Sequence, residues 1–413
     1  MNTLRGVSAA FSKIAALLSA GVSLTACAAT DLPPAPADPA APVTQVETRY
    51  ADVAAKAEEL VAQPGIAGIG IGVIEKGELV WTGYFGQQGP GIPVTEETMF
   101  NTASVAKTVI TETVLRLVDQ GRVSLDEPIA AHYRHPDLSA DPRYNKLTPR
   151  LLLSHQSGLL NWPYMYDDGK LAFINDPGSG EIDYSGAGIR ILARFLEAKF
   201  GKSYPELVED VLFEPLGVSD MAVARTAELE GRVPHPRTPD GQDHQPFLRS
   251  EGGSIIEVGD WSAADNLFAS VEGYAGFLTA LMSEKGAHDP AVAAERQSLQ
   301  STSDTAPGYV CVMPPEECPD PIGFGIGWQV FGEPDRTILY HGGNDFGEHA
   351  HAYFAPRTGD GLVLFINGGN AWIGALNLME RIDPDLLMAK HYRTLLTKMR
   401  EEEAAAAEAE TND

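Results

Sequence analysis

Apolar positions follow two different rhythms along this chain, and the change of rhythm divides it into thirds. Residues 66–74 and 78–85 are dense in Ile, Val, Gly and aromatic residues, and Glu75-Lys76-Gly77 separates them. That composition predicts two strands joined as a hairpin. Helical spacing follows: Ile110, Val114, Leu117 and Val118 recur at i, i+4, i+7 and i+8 and stop at Gly121. The same spacing predicts helices over 44–61, 148–159, 189–200, 202–217 and about 274–282, with loop-rich sequence at 232–262. Short β-rich runs return at 323–331, 337–341, 348–354 and 361–367, ahead of an amphipathic helix over about 375–400. Strands at both ends with helices between predict an α+β fold. One antiparallel sheet is closed by the two ends of the chain, and a helical region is inserted.

The ends read differently from the body. Arg5 and Lys13, a short apolar run over 14–24 and the closing Leu24-Thr25-Ala26-Cys27 predict a lipoprotein-type signal over 1–27 with Cys27 the lipidated residue, an ordinary secretory signal with a cysteine near its end being the other reading. The run is too short to span a bilayer. A Pro/Ala-rich linker over 28–46 comes next, an extended spacer between membrane and domain. One folded domain is then expected over 47–400 and an acidic tail, disordered or frayed, over 401–413. The ending of the signal resembles a bacterial lipobox, and that resemblance implies an address in the bacterial cell envelope, lipid-anchored at the periplasmic face of the outer membrane. With 44% hydrophobic and 21% charged residues in 413, the body is of ordinary globular composition. A net charge of -27 argues against nucleic-acid binding.

Chemistry concentrates at one Ser-x-x-Lys, Ser104 to Lys107. The predicted helix starts there, so Lys107 lies one turn beyond Ser104 on the same face. A serine hydroxyl needs a neighbouring base to become a nucleophile, and a desolvated lysine can be that base. The helix N-terminus supplies free N–H groups for an oxyanion. His341, His349 and His351 carry two readings, a metal site or polar strand residues facing a wet cleft; without nearby Cys or an acidic ligand set, no metal is expected and no cofactor is invoked. His155 reads as a structural histidine. Cys311 and Cys318 are open to a local disulfide closing an active-site loop, with Cys27 consumed by lipid.

Taken together, residues 100–107, 123–128, 151–159, 184–186, 215–217, 268–277, 323–328 and 341–343 resemble, in order, the serine β-lactamase and penicillin-binding-protein superfamily in its class C and esterase-like branch. The resemblance implies an antiparallel sheet flanked by helices beside an all-helical subdomain, with the active site between them. It implies Ser104 as nucleophile, Lys107 as its proton-transfer partner and Tyr184 as the second-motif general base and acid. His341-Gly342-Gly343 falls at the third motif, usually Lys-Thr-Gly, and the N–H groups of Ser104 and Asn344 would form the oxyanion hole. Gly186 stands where the family carries a substrate-contacting asparagine, which removes an amide handle. A packing tyrosine beside an N-cap at Ser185 is the other reading of Tyr184. These residues imply a small-molecule ester or amide substrate and an esterase-like serine hydrolase. A β-lactamase or D,D-peptidase and a non-catalytic binding lipoprotein are the rivals. His341 at its ordinary pKa of about 6.5 would titrate between pH 7.5 and 5.5.

Overall fold

A computed structural model describes residues 49–238, 240–241, 257–300, 309–345, 347–369 and 371–411. The signal, Cys27 and the linker lie outside the described residues, as does much of the loop-rich stretch.

The strands are β1 (Ile66–Glu75), β2 (Glu78–Gly89), β3 (Ile92–Pro93), β4 (Phe100–Asn101), β5 (Met221–Ala222), β6 (Phe268–Ala269), β7 (Ile322–Phe324), β8 (Gln329–Gly332), β9 (Thr337–Asn344), β10 (Glu348–Ala355) and β11 (Asp360–Gly368). Eight form one antiparallel sheet in the order β3-β2-β1-β11-β10-β9-β8-β7, and β4-β6-β5 form a small second sheet. The first and last parts of the chain meet at the β1–β11 ladder, where Ile69 faces Ile366 and Ile71 faces Leu364. This is the closure expected from strands at both ends.

The labelled helices are α1 (Ala51–Val61), α2 (Ala106–Asp119), α3 (Pro149–Leu153), α4 (Gly186–Phe200), α5 (Tyr204–Val208), α6 (Val271–Met282), α7 (Pro290–Gln297), α8 (Trp372–Ile382) and α9 (Leu387–Thr411). Period-2 alternation sorts the sheet's side chains onto two faces. Leu362, Leu364 and Ile366 join Ile69, Leu376 and Met379 under α1, α8 and α9. Val363 and Phe365 turn the other way, into the core shared with α2, α6 and the helical region. Gly70 and Gly72 let α6 lie directly on β1, since a Cβ at either would come within 2.7–2.8 Å of Val271.

Buried polar groups hold α2 in this core. Glu112 accepts from Trp328 Nε1 at 2.9 Å and Arg296 Nη1 at 3.2 Å, and lies 3.0 Å from His288 Nε2. Burial alone would raise its pKa; the Arg296 charge and the His288 and Trp328 hydrogen bonds more than reverse that, to about 2. Removing one partner of such a network strands the others in low dielectric. Glu112→Ala is therefore expected to destabilise the fold by about 3–5 kcal/mol, read from urea unfolding.

Three expected elements differ. The helix read over 148–159 is only the five residues of α3, capped by Thr148. Beyond it His155 is left-handed (φ 56°), and Gln156 donates to Ser154 Oγ and Gln300 O, so local polar bonds displace helical ones. The run at 323–331 is two strands, β7 and β8, folded back through Gly327 (φ 68°). The helix read over 375–400 is two helices broken around Pro384, and α9 runs on to Thr411. The 401–411 part of the expected tail is thus helical, in keeping with its Ala- and Glu-rich sequence.

Candidate active site

β4 delivers the chain to the small sheet, where the Thr102 N–H donates to Leu267 O at 2.9 Å. Ala103 then turns through φ 46°, and a 3-10 turn over Ala103–Val105 runs into α2. Ser104 sits half-buried on that turn, and Lys107 is 1% exposed in the first turn of α2. Lys107 Nζ lies 2.9 Å from Ser104 Oγ and donates to Ala264 O at 2.6 Å. Desolvation lowers the Lys107 pKa to about 7, against the opposing pull of Asp265 and Asp345. The amine is therefore substantially neutral at neutral pH. It can give one N–H to Ala264 and offer its lone pair to the serine proton.

Tyr184 precedes α4, whose N-terminus is capped by Ser185 Oγ accepting from the Gly188 N–H at 2.9 Å. Its ring centroid stands 4.9 Å from Lys107 Nζ. Desolvation holds its phenol above the ordinary value, against the lowering pull of the nearby Ser104 hydroxyl, so it stays protonated at neutral pH. Its ring packs 4.3 Å from that of His155, so the packing expected beside the Ser185 N-cap is present. His155 Nδ1 accepts from the Ser185 N–H at 3.2 Å, and burial with the Lys107 charge pushes its pKa far down. It is a neutral structural group, as read from sequence.

The third-motif stretch lies on β9, whose pairing with β8 ends at Tyr340, so His341 to Asn344 run past that neighbour along the cleft. A Cβ on Gly343 would fall 2.2 Å from Thr102 O and 3.1 Å from Ser104 N. Only glycine lets β9 press against the Ser104 turn this closely. His341 Nδ1 lies 2.8 Å from Gly342 O and so carries the proton. Nε2 is left as a buried acceptor without a protein partner. Desolvation, then the Lys107 charge, lowers its pKa to about 3. The expectation that His341 titrates between pH 7.5 and 5.5 is thereby corrected: it is neutral across that range.

Gly186 is also corrected. It is buried and absent from the cavity wall, and a Cβ there would meet the Trp162 indole at 2.3–2.9 Å. The indole fills the space an asparagine side chain would need. Asn161 does line the cavity, its Oδ1 accepting from the Gly186 N–H at 2.7 Å. An amide group thus reaches the site from a different part of the chain. Neither Asn161 nor the Ala264 carbonyl was read from sequence. The carbonyl acts through backbone and leaves no residue signal, while Asn161 stands two residues beyond the matched 151–159 stretch.

His349 and His351 stack on one face of β10, ring centroids 6.5 Å apart, with His351 Nδ1 2.9 Å from Tyr340 OH. Cys311 and Cys318 are joined as a disulfide with Cα atoms 5.9 Å apart. Ser104, Tyr184, His341, Gly342, Gly343 and Asn344 all line one cavity of about 750 Å³.

Comparison with known proteins fits this arrangement. The chain is 26% identical over 306 residues to penicillin-binding protein 4 of Amycolatopsis lactamdurans, covering 69% of this chain and 76% of that one. It is 31% identical over 176 residues to esterase EstB of Burkholderia gladioli, covering 35% and 43%. The fold superposes on the D-alanine carboxypeptidase AmpC of Burkholderia cenocepacia with a TM-score of 0.64 at 18% identity, covering 83% of this chain and all of that one (100%). The sequence model of the Beta-lactamase family matches residues 53–377, which span β1 to β11 and the Ser104, Tyr184 and His341 stretches. The chain belongs to the Beta-lactamase family, within the serine β-lactamase and penicillin-binding-protein superfamily of hydrolases.

Proposed function

We propose that this protein is an esterase-like serine hydrolase that forms an acyl-enzyme on Ser104. The observation that carries the reading is the buried, substantially neutral Lys107 amine 2.9 Å from Ser104 Oγ. Ser104 Oγ attacks the substrate carbonyl carbon while its proton passes to Lys107 Nζ, and the carbonyl π pair moves onto oxygen. The N–H groups of Ser104 and Asn344 receive the oxyanion. Collapse expels the alcohol or amine, which takes its proton by way of the Tyr184 hydroxyl and Lys107. Water then attacks the acyl-enzyme by the same route in reverse.

Charge favours neutral substrates. β-Lactams carry a carboxylate, and His341 presents a neutral acceptor where the family's third-motif lysine would present a cation. The amide argument is weaker, because Asn161 supplies a group that Gly186 lacks. At pH 7.5, kcat/KM for 4-nitrophenyl acetate is expected to exceed that for benzylpenicillin by at least ~10²-fold, the scale of an interaction lost from the transition state. His341→Lys should narrow the ratio. Equal rates in the wild type would replace this reading with a β-lactamase.

The sequence over 1–27 supports an address in the bacterial envelope, with the domain tethered through a lipid on Cys27. Cys27→Ser, or globomycin treatment, is expected to abolish palmitate incorporation and processing. Undiminished labelling of the Cys27→Ser protein would defeat the anchor.

A further inference from the structure

The family match ends at residue 377, before α9 begins at Leu387, yet α9 forms a wall of the cavity that holds Ser104. Tyr392, Leu395, Leu396 and Met399 recur at i, i+3, i+4 and i+7, a single apolar stripe facing the cleft. Tyr340 and Trp372 pack beside Tyr392, ring centroids 5.7 and 6.0 Å from it, and Tyr309 and Phe324 line the same cavity. Three ties fix the helix in place. The Glu333 carboxylate accepts from the Leu387 and Met388 N–H groups at 2.9 and 3.0 Å. Tyr392 OH donates to Gln329 Oε1 at 2.6 Å. Lys398 Nζ donates to Val312 O at 2.6 Å, joining α9 to the loop closed by the Cys311–Cys318 disulfide.

The polar atoms along this wall are largely spent on the protein itself: Tyr392 OH on Gln329 and Tyr340 OH on His351. Ring and aliphatic surface makes up most of what faces the cavity, with Arg400 and Glu403 following Met399 on α9 as its charged edge. A volume of about 750 Å³ lies within the roughly 300–1,000 Å³ range of pockets that enclose a small molecule. We propose that α9 makes this cavity a binding pocket for an apolar group of the substrate, the size of a medium-length alkyl chain or an aromatic ring, beside the bond that Ser104 cleaves. The inference rests on the hydrolase reading above and adds the substrate class: esters or amides bearing such a group, in preference to small acetates.

The test uses the full chain and two series at pH 7.5, one of 4-nitrophenyl esters and one of thioesters. In the 4-nitrophenyl series the acyl chain grows from acetate to octanoate; in the thioester series the acetyl group is kept and the leaving thiol grows from methyl to octyl. Each methylene buried is worth roughly fourfold in binding. A rise in kcat/KM of at least ~30-fold along either series is expected, and the series that rises says which side of the scissile bond enters the pocket. Met399→Asp should cut the long-to-short ratio by at least ~10-fold, and Met399→Leu should hold it within ~3-fold. If Met399→Asp does not fold, Met399→Ala takes its place, with a ratio reduced at least ~3-fold. Flat series in a wild type that hydrolyses acetate would overturn the pocket alone, as would a chain-length preference indifferent to Met399. A folded wild type that hydrolyses nothing would instead overturn the hydrolase reading.

Discussion

Ser104→Ala is expected to lower ester turnover by on the order of 10⁴-fold or more while leaving the fold intact. Losses of that scale follow removal of a nucleophile whose partners cannot act without it. The structure gives the reason locally: Lys107 Nζ lies 2.9 Å from this oxygen, Tyr184 interacts with the same side chain, and β9 presses on the Ser104 backbone. Lys107→Ala should cost at least ~10²-fold, the ordinary scale for a proton-transfer group. Lys107→Arg separates two roles of the lysine. A guanidinium keeps the charge but does not deprotonate in proteins, so an electrostatic role would survive the change and a base would not. Rates in Lys107→Arg no higher than in Lys107→Ala would identify the base. Steady-state kcat/KM with folding checked by circular dichroism reads both.

The second large effect is on pH. In the proposed mechanism Lys107 acts as the neutral amine, and its pKa is lowered to about 7. Activity should therefore rise with pH, about tenfold per unit below 7, and level off above it. At pH 5 kcat/KM should be about 100-fold under the plateau. His341 contributes nothing to this limb, because it gains a proton only near pH 3. His341→Ala is accordingly expected to change the height of the profile and leave its inflection near 7. The profile should also be insensitive to salt, since Lys107 is buried and a screening length of about 8 Å acts on exposed charges. A profile flat from pH 5 to 8 would contradict the assignment.

Much of this site was legible in the sequence because its parts act through side chains at fixed spacing. Ser104 and Lys107 sit one turn apart, and the apolar rhythm behind them marked α2 without any partner in view. The sheet closed by both ends was legible because β-rich runs stand at both ends of the body, and the unbroken apolar run over 362–366 is buried on both faces of β11. What stayed hidden depends on neighbours distant in sequence. The Ala264 carbonyl that holds Lys107 is contributed by a peptide group 157 positions away, and every residue carries one. The meaning of Gly186 depends on Trp162, which occupies the space its missing side chain vacates. The role of α9 could not come from its own stripe, which predicted an amphipathic helix but not the surface it covers. The His341 pKa failed for a further reason: the ordinary value applies to a solvated ring, and only the fold shows that this ring is dry.

The central claim is a single activated serine, and intact-protein mass after exposure to a fluorophosphonate at pH 7.5 tests it most directly. One adduct per chain is expected, located at Ser104 by fragmentation of the labelled peptide and absent from Ser104→Ala. A folded wild type that remains unlabelled, or an adduct on any other residue, would contradict it and favour a protein that binds without turning over.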